Sequence, residues 1–222
     1  MEYWRSKVNR DAYAHVARIG KAISSGNRLE LLELLAQAEQ SVDSLSRLSG
    51  MGVTTVSAHL QVLKGAGLVR TRRDGTRIHY RLAGPEVAGL FVAMKNMAAR
   101  VLPGLSAIDG EKDSGSGRDD SVPLIRTIEE IREAYMLDVR PAHEYQAGHY
   151  PGAASIPLDG LASRIGEVPR DRRVIVYCRG EFCLLARDAA RLMRGQGIDA
   201  YAMDEGVLEW RASGDVDLTA TA

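Results

Sequence analysis

Between positions 174 and 184 the chain reads Val174-Ile175-Val176-Tyr177-Cys178-Arg179-Gly180-Glu181-Phe182-Cys183-Leu184. An apolar, β-branched run with no polar alternation predicts a strand buried on both faces, as in a parallel sheet. It runs directly into a cysteine. A second cysteine stands five residues later, where an amphipathic stretch over 184–194 predicts a helix. Strand, short loop and helix in that order place the loop at the carboxyl end of a parallel sheet, where α/β proteins bind ligands. A thiol there sits among converging backbone N–H groups and near the positive end of a helix dipole, so Cys178 is predicted to favour the thiolate. The chain of 222 residues holds these two cysteines and no others. The start, Met1-Glu2-Tyr3-Trp4-Arg5, lacks the apolar stretch of a secretion signal. Thiols in a reducing, cytoplasmic setting, used for chemistry rather than for stapling, are the expectation. No apolar run approaches the roughly 20 residues of a membrane span, and no membrane partner is expected.

Charge divides the chain. Residues 1–107 carry 15 Lys and Arg against 8 Asp and Glu, whereas residues 108–222 carry 14 against 21, and the net charge is zero. A basic half joined to an acidic half predicts that only the first meets a polyanion. Between them, residues 109–121 hold Gly, Ser, Asp, Glu, Lys and Arg and nothing able to build a core. The domain expectation is therefore a basic first domain over 1–107, a flexible linker over 108–121 and a second domain over 122–222.

In the first half, Ala12, Val16, Ile19 and Ile23 recur at helical spacing, and Leu29, Leu31, Leu32, Leu34 and Leu35 mark a second helix. Helices are predicted over 41–48 and 53–64. Strands over 69–73 and 76–82 turn around Asp74-Gly75, and a last helix covers 84–102. Helix-turn-helix followed by a hairpin describes a winged helix. In the second half, short strands are predicted at 124–126, 137–139, 155–157, 174–177 and 198–203. A capping box, Thr127 to Glu130, opens a helix, and a further helix covers 184–194. That alternation describes an α/β domain with a mainly parallel sheet. The fold class is thus a two-domain chain, α+β followed by α/β.

On the 53–64 helix, Val56, Leu60 and Leu63 share an inward arc, and Thr54, Thr55, Ser57 and Gln61 are candidates for phosphate and base-edge contacts. His59 falls beside the core stripe and is read as a packing residue. Lys64 and the hairpin arginines Arg72, Arg73 and Arg77 are candidate phosphate contacts, with Arg70 and Arg81 adding to the field. The stretch 53–60, with Val62-Leu63 and Gly67-Leu68-Val69, resembles the ArsR/SmtB-type winged-helix repressors, and 72–80 is similar to their wing. The resemblance spans about 10–100. It implies a homodimer, built from the first and last helices, on double-stranded, pseudo-palindromic operator DNA. It departs at 40–46, Gln-Ser-Val-Asp-Ser-Leu-Ser, where many relatives carry a cysteine-rich metal box. Asp43, His59 and His79 are read as structural, and no metal or cofactor is expected.

The second half resembles the rhodanese domain over about 122–218. The markers are Asp138-Val139-Arg140, Glu144-Tyr145, the 148–153 stretch, Cys178, Gly206 and Trp210. The resemblance implies that Cys178 accepts a sulfane sulfur as a persulfide, cradled by the amides of Arg179, Gly180, Glu181, Phe182 and Cys183. Related phosphatases and arsenate reductases need an Arg six positions after the cysteine, and Leu184 stands there. Glu181 at the mouth is expected to disfavour dianionic thiosulfate relative to a low-molecular-weight persulfide or polysulfide. Cys183 stands where relatives often have Ser or Thr. It is read as a resolving thiol or as a replacement for that small polar residue. Asp138 is expected to order the loop and Arg140 to pair with Glu144.

Three functions follow from these readings. The leading one is a DNA-binding repressor responsive to reactive sulfur through a Cys178 persulfide. The others are a sulfurtransferase whose winged helix localises or autoregulates it, and an arsenic- or metal-responsive repressor using Cys178 and Cys183.

Overall fold

The computed structural model describes residues 9–102, 122–127, 131 and 133–221. Helix α1 (Arg10–Ile23) starts at Asn9, whose side chain accepts the Ala12 N–H at 3.1 Å. Helix α2 (Gly26–Gln37) buries Leu31, Leu32, Leu34, Leu35 and Ala36. After the two-residue strand β1 (Gln40–Ser41), Ser41 caps α3 (Val42–Ser49) by accepting the Ser44 N–H. Helix α4 (Val53–Gly65) turns Val56, Leu60 and Leu63 inward. Strands β2 (Val69–Asp74) and β3 (Arg77–Leu82) pair antiparallel with Asp74 opposite Arg77. The turn residues are therefore Gly75 and Thr76, one position later than the Asp-Gly signal suggests. Gly75 takes φ +57, as the first position of a type II′ hairpin requires. Strand β1 joins at the edge of this hairpin, in the order β1-β3-β2, an addition the polar pair Gln40-Ser41 does not announce. Helix α5 (Pro85–Val101) begins with proline at its first turn.

The second half holds β4 (Leu124–Ile125), β5 (Tyr135–Asp138), α6 (Ala142–Ala147), β6 (Ala154–Ser155) and α7 (Leu158–Arg164), the last running into a 3-10 turn at Ile165–Glu167. Then come β7 (Val174–Tyr177), α8 (Leu185–Gly195), β8 (Ala200–Met203) and α9 (Val207–Ser213). Every pairing in this sheet is parallel, in the order β4-β8-β7-β5-β6. Central β7 is buried along its whole length. Val174 and Val176 join the core shared with Ala189, Ala190 and Met193 of α8, while Ile175 and Tyr177 pack with Met203 and Trp210 on the other face. Each such aliphatic side chain contributes about 1.5–3 kcal/mol by burial. That double burial is why the run shows no polar alternation.

The two halves pack together. Helix α9 lies against α5 and α2. Leu208 of α9 enters an apolar cluster with Ala36 of α2 and with Ala88 and Phe91 of α5. The expected linker at 108–121 and the helix expected to open across 128–130 lie outside the described residues. Among the described residues no helix is long and apolar enough to cross a membrane.

Candidate functional site

Strand β7 hands the 178–183 loop to α8, with Cys178 at the strand's end and only 1% exposed. Its Sγ donates to the Cys183 carbonyl at 3.2 Å, and the Ala186 and Gly180 amides point at the sulfur. The start of α9 floors the loop. Val207 N–H donates to the Cys178 carbonyl at 3.4 Å, and Leu208 N–H to the Arg179 carbonyl at 3.0 Å. This approach needs Gly206, because a Cβ there would collide with backbone atoms of Cys178, Arg179 and Gly180. Gly180 is similarly constrained by the Glu209 carboxylate, 2.6 Å from where its Cβ would stand.

The ion pairs beneath the loop differ from expectation. Arg140 pairs with Asp138, its Nε 3.0 Å from Oδ1, and both side chains are fully buried. Glu144 pairs with Arg179 instead, through Nε–Oε2 at 3.0 Å and Nη2–Oε1 at 2.7 Å. The pairing expected from the sequence is Arg140 with Glu144. The turn after β5 instead folds the Arg140 guanidinium back over Asp138, whose carboxylate also accepts the Arg140 N–H at 2.9 Å. Loop anchoring thus falls to Glu144, through the Arg179 fork.

The thiol chemistry also shifts along the loop. Burial, above all, and then the adjacent Cys183 sulfur push the Cys178 thiol well up, against the pull of the two amides. Cys183 is drawn down to about 6, chiefly by the hydrogen bond from Cys178 and then by the Arg179 and Leu185 amides and the Arg179 charge, although its own burial opposes this. The pair yields its first proton readily, and the charge rests on Cys183 rather than on Cys178 as the helix-dipole reading predicts. The reason is that full burial of Cys178 outweighs two amides.

The winged helix presents Thr54, Thr55, Gln61 and Lys64 exposed and Ser57 half-buried along α4. Gln61 Nε2 donates to the Tyr80 hydroxyl at 3.2 Å. On the hairpin Arg72, Arg73 and Arg77 are all exposed. Arg72 is engaged by Glu39 at 3.0 Å, and Arg73 Nε donates to the Gly75 carbonyl. His59 is half-buried, its Nε2 3.5 Å from Asn27 Nδ2. Among the described residues no group of three or more His, Cys, Asp and Glu is placed to hold a metal, and Asp43, His59 and His79 are not brought together.

Residues 25–71 match the family described as "Bacterial regulatory protein, arsR family", and residues 124–213 match "Rhodanese-like domain". The HTH-type transcriptional regulator Rv0324 of Mycobacterium tuberculosis is 45% identical over 201 residues, covering 90% of this chain and 88% of that protein. The chain belongs to the ArsR family of bacterial regulators, in a form that carries a rhodanese domain. A protein named Sulfurtransferase from Allochromatium vinosum is 26% identical over 95 residues, 43% of this ArsR-family chain and 88% of its own. The solution structure of a homodimeric winged helix-turn-helix DNA-binding domain, Mb0332 from Mycobacterium bovis, shares 46% identity over 44% of this chain and 91% of that one, with a TM-score of 0.41.

In this ArsR-family regulator the sulfur loop faces the DNA-binding domain. Gln37, at the end of α2 and fully buried, accepts from Arg140 Nη1 at 3.0 Å and donates to the Arg179 carbonyl at 3.3 Å. Lys95 of α5, only 3% exposed along its side chain, bridges Glu209 at 2.5 Å and Glu181 at 3.4 Å and lies 4.5 Å from the Phe182 ring centre. Glu181 is therefore part-neutralised, which weakens the argument that it repels a dianionic donor. Glu33 of α2 lies within electrostatic reach of Cys183, Lys95, Glu209 and Arg179. Sequence reasoning missed Glu33, Gln37, Lys95 and Glu209. The available signal was Lys95 itself, on the side of a helix otherwise carrying Val87, Ala88 and Phe91 inward.

Proposed function

We propose that this chain is a homodimeric operator-binding repressor whose affinity for DNA is set by the sulfur state of Cys178. The observation that carries the reading is the clamp on the sulfur loop: Gln37 holds the Arg179 carbonyl and Lys95 holds Glu181 and the Phe182 ring. An added sulfur on a residue with 1% exposure has no room unless that loop, and so its contacts to α2 and α5, shifts. Helix α2 packs on α3 and α4, so the displacement reaches the helix carrying Thr54, Thr55, Ser57, Gln61 and Lys64. Arg72, Arg73 and Arg77 would meet phosphates from the wing. The donor we assign is a small persulfide or polysulfide rather than thiosulfate, with Cys183 as the resolving thiol. Exposed Tyr13, Val16 and Ile19 on α1, with Met97 and Val101 on α5, supply the apolar face for dimerisation.

The test is operator binding by fluorescence anisotropy, comparing reduced protein, protein treated with glutathione persulfide, and Cys178→Ser. Affinity that changes on treatment in the wild type and not in the variant supports the reading. Sulfur found on Cys178 with no change in affinity sinks it in favour of a sulfurtransferase, the reading that the likeness to the Allochromatium protein favours.

A further inference from the structure

Glu33 is a carboxyl group without an evident structural task. Its Oε1 is sealed from solvent and has no hydrogen-bond partner among the described residues. Buried polar atoms in native proteins are almost always paired, and an orphan calls for an explanation. The backbone places it deliberately. Gln37, one turn later on α2, donates from Nε2 both to the Glu33 carbonyl and to the Arg179 carbonyl, so the Glu33 face of the helix looks onto the sulfur loop. The groups that face Glu33 are Cys183, Lys95, Glu209 and Arg179. Two of these are already committed, Lys95 to Glu209 and Glu181, and Arg179 to Glu144. Glu209 is itself held by Lys95 and by the Gly206 N–H at 3.0 Å. Among these groups Cys183 is left as the titratable neighbour not held in an ion pair, and it is on this side that a proton from Glu33 can be used.

We propose that the DNA-binding domain completes the sulfur site, with Glu33 donating the proton to the hydrosulfide expelled when Cys183 resolves a Cys178 persulfide. This rests on the reading of Cys178 as the sulfur acceptor. In the first step Cys178 gives its proton to the Cys183 thiolate beside it as its sulfur attacks the outer sulfur of glutathione persulfide, giving Cys178–S–SH and glutathione thiolate, which takes that proton from Cys183 and leaves as glutathione. In the second, Cys183 thiolate attacks the inner, Cys178-bound sulfur of that persulfide. The Cys178–Cys183 disulfide forms, the bond to the outer sulfur breaks, and hydrosulfide leaves and takes the Glu33 proton as hydrogen sulfide. Two thiols are oxidised and the sulfane sulfur is reduced, so the donor persulfide is the only oxidant required.

Before sulfur arrives, burial and the Cys183 charge raise Glu33 to about 7, while Cys183 is drawn down to about 6, chiefly by the Cys178 thiol. Between those values the unloaded site holds a thiolate beside a carboxylic acid. Once Cys178 carries sulfur that thiol hydrogen bond is gone, and the Arg179 and Leu185 amides and the Arg179 charge remain to favour the Cys183 thiolate that the step consumes. Net charge is conserved across the reaction, but one negative charge moves from Cys183 in the rhodanese domain to Glu33 in α2. It arrives beside a single lysine already shared by Glu181 and Glu209. A chemical event on the loop thereby becomes a charge on the helix that packs against α4.

The experiment loads full-length reduced protein with glutathione persulfide under single-turnover conditions. It follows hydrogen sulfide release together with intact mass, which separates persulfide from disulfide, across the pH range around neutrality. Wild type should release fastest near neutrality, with a rising acid limb as Cys183 ionises and a falling alkaline limb as Glu33 loses its proton. Glu33→Gln should load sulfur normally, hold it as persulfide, release roughly 10²-fold more slowly and lose the alkaline limb. Glu33→Asp, which keeps an acid, should retain that limb even if slower. Release from Glu33→Gln at the wild-type rate, with the disulfide still forming, overturns the role of Glu33 and leaves the sensor reading intact. Equal release from wild type and Cys183→Ser overturns the resolving step and this proposal with it. A wild type that takes no sulfur at all overturns both this and the reading beneath it.

Discussion

A side chain at position 206 has nowhere to go. Gly206 sits where the first turn of α9 meets the backbone of Cys178, Arg179 and Gly180, and any Cβ must displace main chain rather than a flexible side chain. Gly206→Ala should therefore destabilise the chain by about 1–3 kcal/mol, read as a lowered urea midpoint, and should widen the sulfur loop enough to speed alkylation of Cys178. Glu33 makes a prediction of the opposite sign. Its folded pKa of about 7 lies above its ordinary value, so its contribution to stability is full below the ordinary carboxylate range and is lost as pH rises through 7. Glu33→Gln should gain on the wild type as pH rises from 5 to 8 in chemical denaturation. The coupling of Glu33 to Cys183 acts in the same direction, because removing the carboxylate also relieves its repulsion with the Cys183 thiolate. At this scale the sequence conveys identity better than state. The place of Cys178 at the carboxyl end of the sheet is legible from the β-run before it. That it is buried enough to pass the charge to Cys183 is not, because burial depends on α2, α5 and α9, which close over the loop from distant positions.

At the scale of elements, α2 and α5 each do two jobs, and only one of them leaves a trace in the sequence. The leucines of α2 and the inward residues of α5 announce a helical core, and the β2–β3 hairpin is written in its alternation and its glycine. The second job is carried by single polar residues that periodicity cannot distinguish from solvated ones: Gln37, buried at a helix end, and Lys95, buried between Glu209 and Glu181. Helices α6, α7 and α9 are likewise too short for their periodicity to stand out, though α9 packs against both α5 and α2 of the other half. The consequence for Lys95 is testable. Removing one partner of a buried ion pair leaves the other uncompensated. Lys95→Ala should cost about 3 kcal/mol, measured by denaturant unfolding, and should expose the interface to limited proteolysis. Gln37→Ala strands Arg140 Nη1, while the Arg179 carbonyl keeps the Leu208 N–H, and should cost about 1–3 kcal/mol by the same measurement. On the function proposed above, which puts the chemistry in the loop and its transmission in the clamp, both variants should load sulfur on Cys178 while losing its effect on DNA.

At the scale of the molecule, zero net charge conceals a basic half folded against an acidic one, so DNA must be met locally, by the wing and α4, rather than by an overall field. The three wing arginines are not equivalent in that encounter. Arg77 is exposed on β3, whereas Arg72 is held by the Glu39 carboxylate at 3.0 Å, and each phosphate contact it makes must compete with that pair. Arg77→Ala should lower the slope of log affinity against log salt by about one per wing, since a counterion-releasing phosphate contact is lost. Arg72→Ala should weaken binding with little change in slope, because what it removes is chiefly the cover over Glu39, whose carboxylate then repels the duplex. Anisotropy titrations of the full chain on one operator fragment across a salt series separate the two outcomes. Equal slopes for both variants would mean that Arg72 leaves Glu39 on binding and that the wing reorganises on the DNA. In that case the same freedom would be available to the sulfur signal, since Glu39 sits two residues beyond Gln37, where the clamp on the loop ends.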